Sequence, residues 1–216
     1  MTKGPPFWIP PHLADEAGLC GIGGDLEPDS LLMAYTAGVF PWFGEGDPIL
    51  WFSPDPRGII PLDAVHISQR LKRTIASGKF HTTIDRHFRE VMTACGENRT
   101  DGTWVTAEML DAYEELHRLG IAHSLEVWQG EVLAGGIYGV AIGGLFAGES
   151  MFHRVSDASK VALVSLTDRL RDRGFTLMDI QVVTDHTAQF GAMWIPRIDY
   201  LFRLGEALKR KAVQFA

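Results

Sequence analysis

Ser124-Leu125-Glu126-Val127-Trp128, the turn Gln129-Gly130-Glu131, the run Val132 to Ile142, Gly143-Gly144, and Leu145 to Phe152 together decide the fold. Three apolar stretches separated by short glycine turns read as antiparallel strands. Asp157 then caps an expected helix with Val161, Leu163, Val164, Leu166 and Leu170 inside, ending at Gly174. Leu177-Met178-Asp179-Ile180-Gln181-Val182-Val183 follows as a further strand. Antiparallel strands, a helix and a returning strand give the α+β class with a mixed sheet.

That order resembles the core of acetyltransferase-like (GNAT) folds. Upstream, helices are expected over about His66 to Ser77, from near Asp85 (Phe88, Val91, Met92 and Cys95 at helical spacing), and from Thr106 to Gly120. A last helix is expected over roughly Ile198 to Lys211. Residues 1–62 are rich in proline, glycine and aromatics, with one helical run from Leu31 to Gly38. The chain therefore divides near residue 62, into a small loop-rich N-terminal domain (1–62) and a GNAT-like mixed-sheet C-terminal domain (63–216).

The chain has 216 residues, 46% hydrophobic and 22% charged, enough to bury a sizeable core. A formal net charge of -7 argues against a generic nucleic-acid coat or an anionic-membrane binder, and leaves room for a local basic patch. Cys20 and Cys95 form no CxxC, so neither a disulfide framework nor a zinc–cysteine site is expected. The first residues lack the apolar core of a signal peptide, and no stretch has the apolar length to span a bilayer. The expected location is cytoplasmic, with no membrane partner. Eight histidines show no HExxH or paired-ligand spacing, and no P-loop or GxSxG elbow occurs, so neither a metal nor a cofactor is expected.

Spacing of two places Asp179 and Gln181 on one face of their strand. A carboxylate beside an amide on an apolar strand is costly to bury without partners, so the two are either a hydrogen-bonded core pair or a catalytic couple. Glu149, at the end of an apolar strand in Gly148-Glu149-Ser150-Met151-Phe152, either pairs with an internal Arg or caps a loop, or receives the positive charge of a substrate. Phe40-Pro41-Trp42-Phe43, Trp51-Phe52-Ser53-Pro54-Asp55-Pro56-Arg57 and Trp104 offer rings that either pack loops or stack on bases. Arg70, Lys72, Arg73 and Lys79 cluster in and after one helix, either as a solvated face or as phosphate contacts.

These blocks, with Gly23-Gly24-Asp25-Leu26, Ala158-Ser159-Lys160 and Asp179-Ile180-Gln181, occur in an order that resembles the bacterial leucyl/phenylalanyl-tRNA–protein transferases from about Leu19 to Tyr200. The resemblance implies transfer of Leu, Phe or Met from aminoacyl-tRNA to the N-terminal Arg or Lys of a protein, creating a degradation signal of the N-end-rule kind. It implies Asp179 and Gln181 as catalytic residues, Glu149 at the acceptor site, and Trp42 and Trp104 against the terminal adenosine. It implies Ile137, Phe146, Met151, Leu163, Leu166, Leu170 and Met178 around the donor side chain, and Arg70, Lys72 and Arg73 in the helix that contacts tRNA. Two departures stand out: Thr184 where the family pattern has Asn, and Met193-Trp194 where it has smaller or polar residues. Ester aminolysis to an amide is downhill, so the chemistry needs positioning rather than ATP or a metal.

Three other readings compete, one of them a non-catalytic tRNA-binding module with a decayed site, which the presence of Asp179, Gln181 and Glu149 argues against. The strand order also suits a CoA-dependent N-acetyltransferase, but the segment His153 to Lys160 lacks the glycine-rich turn that would hold a pyrophosphate. An aminoacyl-tRNA-dependent enzyme acting on a cell-wall peptide would differ in its acceptor.

Overall fold

In the computed structural model, which describes residues 8–97 and 105–216, the chain runs β1 (Leu19–Ile22), α1 (Pro28–Thr36), β2 (Phe40–Pro41), β3 (Leu50–Phe52), β4 (Arg57–Ile60), α2 (Gln69–Ala76), β5 (His81–Ile84), α3 (Phe88–Gly96) and α4 (Ala107–Arg118). It continues through β6 (Ala122–Gln129), β7 (Val132–Ile142), β8 (Leu145–His153), α5 (Ala158–Arg173), β9 (Leu177–Gln181), α6 (Asp185–Ala188), β10 (Met193–Ile195) and α7 (Arg197–Leu208). A three-stranded sheet has the order β1-β3-β2, and a seven-stranded sheet the order β10-β4-β9-β8-β7-β6-β5. Strand β4 lies before residue 62 yet pairs within the larger sheet. The expected α+β mixed sheet is present.

Gly130 and Gly143, both at positive φ, make the tight turns between β6, β7 and β8. Antiparallel pairing holds through the large sheet except between β8 and β9, which are parallel and joined by α5. A parallel pair needs such a crossover, because no tight turn can return the chain in register. Gly139 has no substitute: a Cβ there would stand 2.2 Å from the Ala147 carbonyl oxygen.

Helix α5 packs on one face of the sheet. Leu163, Leu166 and Leu170 are fully buried against Ile137, Phe146 and Met178, each worth about 1.5–3 kcal/mol of removal from water. Helices α1, α3, α4 and the small sheet share a second cluster, which includes Tyr138, Val140 and Ala147 of the sheet. Tyr200 and Leu204 of α7 cover Ile59, Leu145 and Leu177.

Some details differ from the sequence expectation. Strands β5 and β10, of four and three residues, are too short to display alternation. Asp157 does precede α5, but at φ 71° and without a side-chain cap bond. Helix α2 starts later than expected, where the Ser68 hydroxyl accepts the Leu71 N–H. Among the described residues, no helix is long and apolar enough to cross a membrane.

Candidate active site

Parallel pairing of β8 with β9 runs from Leu145↔Leu177 to Ala147↔Asp179, and both strands become irregular just beyond it. On β8, Gly148 faces Gly139 and Ser150 faces Tyr138, so Glu149 is the extra residue of a bulge. On β9, Asp179 faces Ile59 and Gln181 faces Gly58, so Ile180 is extra. Bulges re-aim side chains, and here they open a splay at the C-terminal ends of two parallel strands, where open sheets hold their ligands. The Gln181 amide nitrogen donates to Glu149 Oε1 at 3.2 Å across it.

Gln181 has φ 57°, in the left-handed region that non-glycine residues avoid. Val182 N–H donates to the Ile180 carbonyl at 2.5 Å, closing a three-residue turn around it. The Asp179 carboxylate fastens this turn by accepting Gln181 N–H at 2.9 Å. Gly58 lets the chain pass: a Cβ there would lie 2.9 Å from the Val182–Val183 peptide.

Asp179 is itself fully occupied. Its two oxygens take Arg57 Nε at 2.8 Å, Arg57 Nη2 at 2.6 Å and the Tyr200 hydroxyl at 2.9 Å. Arg57 also donates to the Gly38 carbonyl at 3.2 Å and lies over the rings of Phe40 and Tyr200. Both members of the ion pair are 1% exposed. Burial opposes the Arg57 charge, but Asp179 and then Tyr200 hold its pKa above the ordinary arginine range. A carboxylate so saturated is a frame for Gln181 rather than a free base.

Glu149 is different. It is partly buried, and burial pushes its carboxyl up to about 8, with Asp179 adding to the shift and the Tyr35 hydrogen bond and Arg57 opposing it. The Tyr35 and Tyr113 hydroxyls hydrogen-bond each other beside it. Burial, with the nearby Glu149 charge, raises both phenols well above their usual range, so they stay protonated donors.

Of the residues singled out by sequence, the fold gathers Asp179, Gln181 and Glu149 into one polar cluster. Ile137, Phe146, Leu163, Leu166, Leu170 and Met178 are buried together, with Met151 partly buried against them. Met151 also lines a cavity of about 180 Å³ with Cys95, Phe152 and His153. Trp42 is 52% exposed, edge-on to Phe52 at 5.8 Å. Trp104 lies outside the described residues. Arg70, Lys72, Arg73 and Lys79 are exposed on and after α2. Among the described residues, no group of three His, Cys, Asp or Glu could hold a metal.

Sequence reading assigned no role to Arg57, Tyr35, Tyr113 or Tyr200. The one available signal was an Arg opening the apolar run Arg57-Gly58-Ile59-Ile60, a charge that demands a buried partner. The tyrosines fall within expected helices, and only the fold brings the Tyr200 hydroxyl to Asp179 and the Tyr35–Tyr113 pair beside Glu149.

The family model described as leucyl/phenylalanyl-tRNA protein transferase matches residues 59–205, and that of its N-terminal domain matches residues 24–55. A leucyl/phenylalanyl-tRNA–protein transferase of Anaeromyxobacter sp. (strain Fw109-5) is 53% identical over 207 residues, covering 94% of this chain and 88% of that protein. That of Myxococcus xanthus (strain DK1622) is 47% identical, covering 95% and 89%. Among solved structures, L-PGS from Bacillus licheniformis superposes with a TM-score of 0.47 at 10% identity, over 85% of this chain and 71% of that one, a likeness too distant to bear on activity. With both models in register along the sequence and relatives about half identical over nearly all of it, this chain belongs to the leucyl/phenylalanyl-tRNA–protein transferase family.

Proposed function

We propose that this protein transfers Leu, Phe or Met from aminoacyl-tRNA to the N-terminal Arg or Lys of acceptor proteins, marking them for degradation. The observation that carries the reading is the Glu149–Gln181 bridge across the splay of β8 and β9. With one N–H of the Gln181 amide given to Glu149, the side chain is oriented so that its carbonyl oxygen can accept an N–H from the attacking α-amine. Asp179 positions Gln181 through the backbone.

The amine nitrogen attacks the ester carbonyl carbon. A C–N bond forms, the bond from that carbon to the ribose oxygen breaks, and the amine proton ends on the departing ribose hydroxyl. Holding the two reactants in line supplies much of the rate. The Glu149 carboxyl, at about 8, is matched to an α-ammonium group at about 7.7–8.0. It can take the charge of the incoming N-terminus without being locked as a permanent anion in the empty site.

The apolar cluster of Ile137, Phe146, Leu163, Leu166, Leu170 and Met178, with Met151 at its edge, supports a greasy seat for the donor side chain. A Cβ on Gly148 would make only ordinary contacts, 3.7 Å from the Asp179 carbonyl oxygen, 3.9 Å from Met178 Cε and 4.0 Å from Ile180 Cγ2, so an added methyl there would fit beside the proposed seat. Trp42, and Trp104 by family resemblance, would flank the adenosine, and the exposed basic residues of α2 would meet tRNA phosphates. We keep the division of the chain near residue 62, supported by a small sheet that lies wholly before it. A cytoplasmic setting follows from the proposed donor.

The test is incubation with tRNA charged with labelled Leu or Phe and peptides that begin with Arg, Lys, Ala or Asp. Label is expected on the Arg and Lys peptides. Folded protein that labels none of them, or labels all alike, refutes the reading.

A further inference from the structure

The segment that follows α7 returns to the main sheet and buries one ring in the cluster formed by α5 and the sheet. That ring is Phe215, 2% exposed, and no step of the reaction above uses it. Several groups pin it. Arg169 of α5 donates through Nε to the Phe215 carbonyl at 2.8 Å and sets its guanidinium carbon 5.1 Å from the ring centre. The His123 ring lies 4.6 Å away, itself held with Nδ1 2.7 Å from an Asp85 oxygen and Nε2 3.1 Å from the Gly120 carbonyl oxygen. Phe175 meets the ring edge-on at 6.3 Å.

Phe215 also stacks on Phe146, with ring centroids 5.3 Å apart and planes at 27°. Phe146 has little freedom of its own. Its ring edge occupies the space that a side chain on Gly139 would need, 2.6 and 2.8 Å from an added Cβ. It pairs with Met178 across β8 and β9, and Met178 Cε lies 3.9 Å from where a Cβ on Gly148 would stand, next to Glu149. Phe215 is thus linked to the splay through Phe146 and Met178. Protein interiors are packed without slack, so the place of the Phe146 ring depends on what stands behind it. We propose that Phe215 limits the size of the donor side chain by holding Phe146 in place. It is a positioning residue: it sets the depth of the apolar seat without touching the donor. The assignment rests on the transfer reading above.

The test compares tRNA charged with phenylalanine and tRNA charged with 2-naphthylalanine, whose side chain carries one more fused ring. The readout is the ratio of kcat/KM values, naphthylalanine over phenylalanine, with an Arg-starting peptide. Phe215→Ala lets the Phe146 ring retreat and is expected to raise the ratio about tenfold; Phe215→Leu, which leaves a smaller void, is expected to raise it about threefold. A loss of stability alone lowers transfer from both donors and leaves their ratio where it was. In a Phe146→Leu background the same substitutions should change the ratio by less than about twofold, because the ring they act through is gone. If Phe215→Ala does not fold, Phe215→Leu decides. A ratio that stays at the wild-type value or falls in Phe215→Leu, or that rises equally in the Phe146→Leu background, overturns the assignment while leaving transfer intact. Wild-type protein that transfers neither residue overturns the transfer reading, and this assignment falls with it.

Discussion

Asp179→Asn separates a carboxylate that acts on substrate from one that holds the frame. The side chain accepts hydrogen bonds from Arg57 Nε and Nη2, the Tyr200 hydroxyl and Gln181 N–H, and it and Arg57 are each 1% exposed. Asn keeps one acceptor oxygen but turns an NH2 toward donors and leaves the guanidinium uncompensated. Breaking a buried pair in this way costs about 3–5 kcal/mol, a large part of the roughly 5–15 kcal/mol that stabilises a domain. At about 2–4 °C per kcal/mol, Tm is expected to fall by about 6–20 °C. Urea unfolding followed by tryptophan fluorescence measures the loss, and transfer to an Arg-starting peptide measures the activity. Activity should fall as well, because the turn at Gln181 loses its anchor. The double variant Arg57→Met/Asp179→Leu removes both charges and should regain most of the stability without regaining activity. If Asp179→Asn unfolded within about 1 kcal/mol of wild type yet transferred nothing, the carboxylate would be a direct participant and the positioning argument would be wrong.

Gln181→Gly removes a strained positive φ, so it should raise stability by about 0.5–1 kcal/mol while abolishing most transfer; a less stable variant contradicts the strain. Gly148→Ala should fold normally and disfavour the largest donor side chain, changing the Phe-to-Leu kcat/KM ratio by about 1–3 kcal/mol; an unchanged ratio places the donor side chain elsewhere. The Glu149 prediction concerns pH. Its folded pKa, about 8, lies above its ordinary 4.5, so between those values the folded protein keeps a proton that the unfolded chain has lost. Its contribution therefore weakens stability progressively as pH rises from 4.5 to 8 and levels off beyond. Glu149→Gln lacks that slope and should gain on wild type between pH 5 and pH 8.5 in thermal melts; parallel curves at the two pH values would show that Glu149 titrates normally.

Much of the frame was legible in local sequence because its signals are local. Gly130 and Gly143 mark turns that demand positive φ, Gly174 ends a helix, and the apolar periods of Val132 to Ile142 and of Val161 to Leu170 differ as strand and helix do. The polar pair on an apolar strand was visible at Asp179 and Gln181 for the same reason, as was a carboxylate at Glu149. The edge strands β5 and β10 were missed because four or three residues hold too little pattern, and what fixes them is pairing with β6 and β4.

Sequence by itself determined the class of fold, the family, and which strand carries the unusual polar residues, since each depends on neighbours along the chain. Tertiary structure alone decided what those residues are. It brought Arg57 to Asp179 from 122 positions away, placed Tyr35 and Tyr113 beside Glu149, and bulged two strands so that an amide bridges to a carboxyl across their splay. Protonation and hydrogen-bond saturation are set by burial and by partners a few ångströms away in space, and no spacing along the chain encodes either one.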